Sequence, residues 1–75
     1  MKVPGESSRL SNIRFSEREL DVLKLLVEGH SNKEIAIALH LSPNTVKTHI
    51  RGLLNKFGVN HRIQIAVLAL RHNLV

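Results

Sequence analysis

No cysteine, tryptophan or tyrosine occurs among the 75 residues, phenylalanine occurs twice, and no Asp or Glu follows Glu34. Each absence closes a class of function. Without thiols there is neither a disulfide framework nor a thiolate metal ligand, which removes the secreted mini-protein and the zinc finger together and makes a reducing, intracellular home the default. No window approaches the roughly 18 consecutive apolar residues of a membrane span, and Met1 to Asn12 lacks the apolar stretch of a signal peptide. The expectation is therefore a cytoplasmic protein with no membrane partner. A chain of this length forms one domain that buries only about 60% of its unfolded surface, too little for a large active-site cleft.

The missing acids carry the most information. Lys and Arg number 11 against 6 Asp and Glu, a formal net charge of +5. Residues 1–34 contain every acid (Glu6, Glu17, Glu19, Asp21, Glu28, Glu34) and as many bases (Lys2, Arg9, Arg14, Arg18, Lys24, Lys33), so they sum to zero. Residues 35–75 carry Lys47, Arg51, Lys56, Arg62 and Arg71 alone. The whole excess sits in the second half, as a surface that faces a polyanion requires.

Met1 to Asn12 is rich in Ser, Pro, Gly and charge and has no apolar periodicity, which reads as a flexible linker or tail, leaving residues 13–75 as the folded domain. Four helix starts follow. Ser16 with Glu19 is a capping box, and Leu20, Val22, Leu23, Leu26 and Val27 then share one arc as far as Gly29, predicting a first helix over Glu17 to about Glu28. Ser31 with Glu34 repeats the box and opens a short second helix from Asn32 to about Leu39, with Ile35, Ala36 and Leu39 inward. Ser42 before Pro43 starts a third, Pro43 to Phe57, which stops at Gly58. The last runs from about His61 or Arg62 to His72. No strand signal appears, so the expected fold is an all-α, four-helix bundle containing a helix-turn-helix, since the second and third helices are short and joined by a tight turn.

The third helix has one side built from Val46, Ile50, Leu53, Leu54 and Phe57 and another from Asn44, Lys47, Thr48, Arg51 and Asn55. Major-groove readout needs Lys or Arg for guanine, Asn for adenine and Thr for the thymine methyl, and an acid there would repel phosphate. A solvated helix face usually mixes Glu with Lys at i,i+4, as the first helix does with Glu17, Asp21, Lys24 and Glu28. The pattern on the third helix favours double-stranded DNA as partner.

The run from Phe15 to Leu70, with SERELDVLKLLVEG, SNKEIAIALHLSPNTVKTHI and LLNKFGV, resembles the DNA-binding domain of LuxR-type transcription regulators. These are effector modules of many two-component response regulators of the FixJ and NarL type. The pieces NKEIA and L-S-x-x-T-V-K-T-H make the resemblance specific, and it spans about Ile13 to Val75. It implies base contacts from Lys47, Thr48 and Arg51. It implies phosphate contacts from Asn32, Lys33, Ser42, Asn44 and Thr45, in keeping with anion binding at helix starts. Lys56 and Arg62 are read as further phosphate contacts, and His49 as either a phosphate or a structural contact. It also implies a role for the last helix in dimerisation and a receiver or sensor domain N-terminal to these residues. One departure stands out: the family's Ser-Arg-Thr at the start of the last helix is His61-Arg62-Ile63 here, so either Asn60 or His61 caps it or the helix frays at its start.

That last helix is apolar nearly all round, with Ile63, Ala66 and Leu70 on one side and Ile65, Val67 and Leu68 away from them. Such a helix is normally covered on two sides. The expectation is a homodimer patch of Ile65, Val67 and Leu68, against packing inside the domain that absorbs them. The five histidines lie nine to twelve residues apart in sequence, so no two share a helix face and no metal site is expected. No nucleophile with a base, carboxylate pair or phosphate-cradling glycine loop is present, so neither an enzyme nor a cofactor is expected. The competing function is a helical module that binds a protein partner without DNA.

Overall fold

The structure, a computed structural model, describes residues 13–75; the expected linker before Ile13 lies outside the described residues. Four helices are present among them: α1 Glu17–Val27, α2 Asn32–Leu39, α3 Pro43–Phe57 and α4 Arg62–Arg71. None is long and apolar enough to cross a membrane. The fold is all-α, as the capping signals and apolar periodicity require.

Side chains of the chain itself close each start. Ser16 Oγ accepts from Glu19 N–H at 3.0 Å while Glu19 Oε1 accepts from Ser16 N–H at 2.9 Å. Ser31 and Glu34 repeat the exchange at 3.1 and 2.8 Å. At α3 only Ser42 Oγ acts, accepting from Thr45 N–H at 3.1 Å, with Pro43 in the first turn where its missing N–H costs nothing. At α4, His61 occupies the cap position, but the work is done by Gln64, whose Oε1 accepts from the N–H groups of both Asn60 (3.2 Å) and His61 (3.1 Å).

All four helices end with one device. One residue past α2 and α3, and two past α1 and α4, the chain turns into the left-handed region, and the next residue's N–H reaches back five positions: His30 to the Leu25 carbonyl, Leu41 to Ala36, Val59 to Leu54 and Leu74 to Ala69. This is the Schellman pairing, which satisfies orphan carbonyls. Glycine holds the turning position after α1 (Gly29, φ 91°) and α3 (Gly58, φ 69°), but His40 (φ 57°) and Asn73 (φ 54°) hold it after α2 and α4. Leu41, Val59 and Leu74 then fold back onto the core.

The core joins Val22, Leu23 and Leu26 of α1 with Ile35 and Ala36 of α2, four residues of α3 (Val46, Ile50, Leu53, Phe57) and Ile65 and Ala69 of α4. α1 lies against both α3 and α4, and α2 packs on α3 as the first half of the helix-turn-helix. Phe15 reaches in from the chain before α1 and meets Phe57 with ring centroids 5.7 Å apart. Every buried position of α3 therefore lies on one side, and the opposite side is left to solvent.

Candidate nucleic-acid interface

The outward side of α3 follows from that packing. With Val46, Ile50, Leu53 and Phe57 turned inward, Asn44, Lys47, Thr48, Arg51 and Asn55 are all exposed along a helix of about 22 Å. No carboxylate stands on this face, and neither Lys47 nor Arg51 has an ion-pair partner among the described residues. The Thr48 hydroxyl donates to the Asn44 carbonyl at 3.1 Å, so what it offers outward is acceptor capacity and a methyl group.

The start of α3 supplies fewer anion donors than a bare helix end. Pro43 has no N–H, and Thr45 N–H is taken by Ser42, which leaves the N–H of Asn44. The hydroxyls of Ser42 and Thr45 are 2.9 Å apart and share one hydrogen between them, so one O–H of the pair remains for an outside acceptor. At the start of α2, the N–H groups of Asn32 and Lys33 precede the capped Glu34 and point out of the helix end.

Three residues read as phosphate ligands, Asn32, Lys56 and Arg62, have side-chain partners distant in sequence. Arg62 donates through one nitrogen to Asn32 Oδ1 at 2.5 Å and through the other to the His30 carbonyl at 3.0 Å. This ties the first turn of α4 to the turn between α1 and α2 and fixes the Asn32 side chain. Lys56 departs further from expectation. It donates to Glu19 Oε1 at 2.6 Å and to the Arg14 carbonyl at 2.9 Å, and its ammonium stands 5.6 Å from the Phe15 ring centroid. The side chain is turned to α1 rather than outward, because Glu19 offers a carboxylate with only 14% of its surface exposed. Burial raises the Glu19 pKa, but the Lys56 hydrogen bond, the Ser16 N–H and the Lys56 charge together outweigh it, and the carboxyl is held below its ordinary value. Glu34 is likewise lowered, chiefly by the Ser31 N–H. His49 is half-buried on the border of the exposed face.

The dimer expectation is corrected at two of its three positions. Ile65 is 0% exposed and belongs to the core, and Leu68 is half-buried against it, so of the three expected residues Val67 alone is exposed, at 45%. The exposed apolar residues of α4 are Ile63, Val67 and Leu70, which with Leu26, Val27 and Ala66 border a groove of about 540 Å³ whose polar end holds His30, Glu34 and Arg62. Their spacing, i, i+4, i+7, is a single helical stripe that the sequence contained. In a helix apolar on all sides, the periodicity does not say which stripe faces the core. Gln64 was also missed as the cap, although a Gln three residues after a cap position is a known signature.

Known proteins share the sequence pattern and the fold. The sequence profile of bacterial regulatory proteins of the luxR family matches residues 14–69. The response regulator protein VraR of Staphylococcus aureus is 45% identical over 61 residues, covering 81% of this chain and 29% of that protein. The VraR of Staphylococcus saprophyticus matches to the same extent. The chain thus spans under a third of the length of these relatives. The crystal structure of the response regulator ChrA of a haem-sensing two-component system superposes with a TM-score of 0.77 at 36% identity, over 91% of this chain and 35% of that one.

Proposed function

The chain belongs to the luxR family of bacterial regulatory proteins, and from that premise we propose that residues 13–75 are the sequence-reading unit of a response regulator. In this reading they bind duplex DNA through α3 and act as the output half of a protein whose receiver domain precedes them. The observation that carries the reading is the exposed face of α3, where two unpaired cations, two amides and a threonine stand together without an acid. Lys47, Thr48 and Arg51 meet base edges. Asn44, Lys33 and the shared hydroxyl of Ser42 and Thr45 hold the phosphates that set register, with Asn32, Arg62 and His49 at the margins.

The unit works as a dimer. The two-fold contact runs through Ile63, Val67 and Leu70, because a stripe at this spacing packs against its own copy as a coiled-coil seam does and would otherwise leave large apolar side chains in water. Two α3 helices then reach half-sites about one helical turn of DNA apart. Titrating salt against binding of a duplex tests the core of the proposal: log K falls linearly with log salt, by about 0.9 per phosphate neutralised. A flat response, or binding to a protein partner alone, returns the reading to a helical interaction module.

A further inference from the structure

Among the cations of the described residues, Lys56 has the most internal partners: a carboxylate, a carbonyl and an aromatic ring. At about 100° per residue it lies roughly 120° around α3 from the Asn44, Arg51 and Asn55 face. It shares its flank with Gly52, where an added Cβ would stand 3.6 Å from Glu19 Oε2. Glu19 is itself held by the backbone, since the oxygen that receives Lys56 also accepts from Ser16 N–H. One ammonium thus joins the chain entering the domain at Arg14 and Phe15, the first turn of α1 and the last turn of α3.

We propose that Lys56 is a positioning residue for DNA recognition, which sets the rotation of α3 on α1 and thereby the register of Lys47, Thr48 and Arg51, and that it neutralises no phosphate. The apolar contacts beneath α3 are non-directional and define its rotation less sharply than a bond of fixed direction. A charge-assisted hydrogen bond of fixed length to a backbone-anchored carboxylate supplies that direction. The proposal rests on α3 being the recognition helix.

Two substitutions separate positioning from phosphate contact by the sign of their effects. Lys56→Met keeps the aliphatic stem over Phe15 and removes the ammonium. Glu19→Gln keeps an oxygen for the Ser16 cap and removes no cation. Binding is measured by fluorescence anisotropy on a duplex selected from random DNA and on a scrambled duplex, at a temperature where circular dichroism shows each variant folded. Lys56→Met is expected to weaken the selected duplex about tenfold and the scrambled one less than about twofold, with an unchanged salt slope. Glu19→Gln weakens the selected duplex in the same direction, and the double variant is no weaker than Lys56→Met. A phosphate-binding Lys56 gives the reverse: the slope drops by about 0.9 with Lys56→Met, and Glu19→Gln, which frees the ammonium and deletes a negative charge, leaves binding unchanged or tightens it. Either of those results overturns the proposal. Should Lys56→Met fail to fold, the sign of the Glu19→Gln effect decides alone. Lys47→Ala is run alongside: if it alters neither duplex, the failure lies with α3 as the reading helix and not with Lys56.

Discussion

Gly52 stands in the middle of the helix proposed to read DNA, where glycine is disfavoured by about 0.8–1 kcal/mol relative to alanine. A glycine in such a place commonly marks a close approach of another element. Here the nearest atom to an added Cβ would be Glu19 Oε2 at 3.6 Å, an ordinary van der Waals distance, so the methyl fits without displacing α1. Gly52→Ala should therefore recover most of the propensity difference, about 0.5–1 kcal/mol. For a domain of this size that raises the midpoint of thermal unfolding by roughly 2–8 °C. Circular dichroism melts and urea titrations with unchanged m measure it, and DNA affinity followed in parallel should not move, since the flank carrying Gly52 is not the exposed face. A loss of more than about 0.5 kcal/mol would refute the reasoning. It would mean that α1 and α3 need bare backbone at their crossing and that the Glu19 to Lys56 contact does not survive a methyl group.

The opposite exchange is expected to stabilise at the turn after α2. His40 is left-handed at φ 57°, and His40→Gly relieves that strain at some cost in unfolded-chain entropy, a net gain of about 0.5 kcal/mol in urea unfolding. The pH dependence follows from Glu19, whose pKa is lowered from 4.5 by partners present only in the fold. Its stabilisation is complete above the ordinary glutamate range and is lost as pH falls through the lowered value, so the stability gap between wild type and Glu19→Gln should narrow on acidification below about pH 4.5. A gap that is constant from pH 7 to pH 3 contradicts this. On α4, Val67→Glu should leave the domain folded but abolish paired occupancy of a two-half-site duplex in sedimentation, whereas Ile65→Glu should unfold it by placing an unpaired charge in the core. Equal behaviour of the two variants would undo the assignment of the exposed stripe.

Much of the fold was legible because its punctuation is local. Ser16, Ser31 and Ser42 each announce a helix within a few residues, Gly29 and Gly58 announce two of the four ends, and α3 begins and ends where Pro43 and Gly58 place it. His40 and Asn73 perform the same turn without the glycine that signals it, and only the conformation reveals them. The exposed face of α3 was legible as well, since an amphipathic helix declares its outer side by contrast. α4 offers no such contrast, and its orientation is decided by α1 and α3 packing on Ile65 and Ala69. The internal partners of Lys56 and Arg62 were hidden from the sequence for a related reason. A base in an acid-free segment reads as free, but the partners of these two, Glu19 and Asn32, lie 37 and 30 residues away in sequence. Charge summed along the chain cannot see a pair closed by the fold.

The central claim is that the acid-free face of α3 reads base sequence, and Lys47→Ala tests it most directly. Lys47 is exposed and unpaired, so its removal costs the fold little. Anisotropy titrations of wild type and variant are compared on a duplex selected from random DNA and on a scrambled one, at one salt concentration. A loss of about 1–3 kcal/mol on the selected duplex, with a much smaller loss on the scrambled one, is the expected result. Equal losses on both would make Lys47 a phosphate contact, and no loss on either would contradict the account.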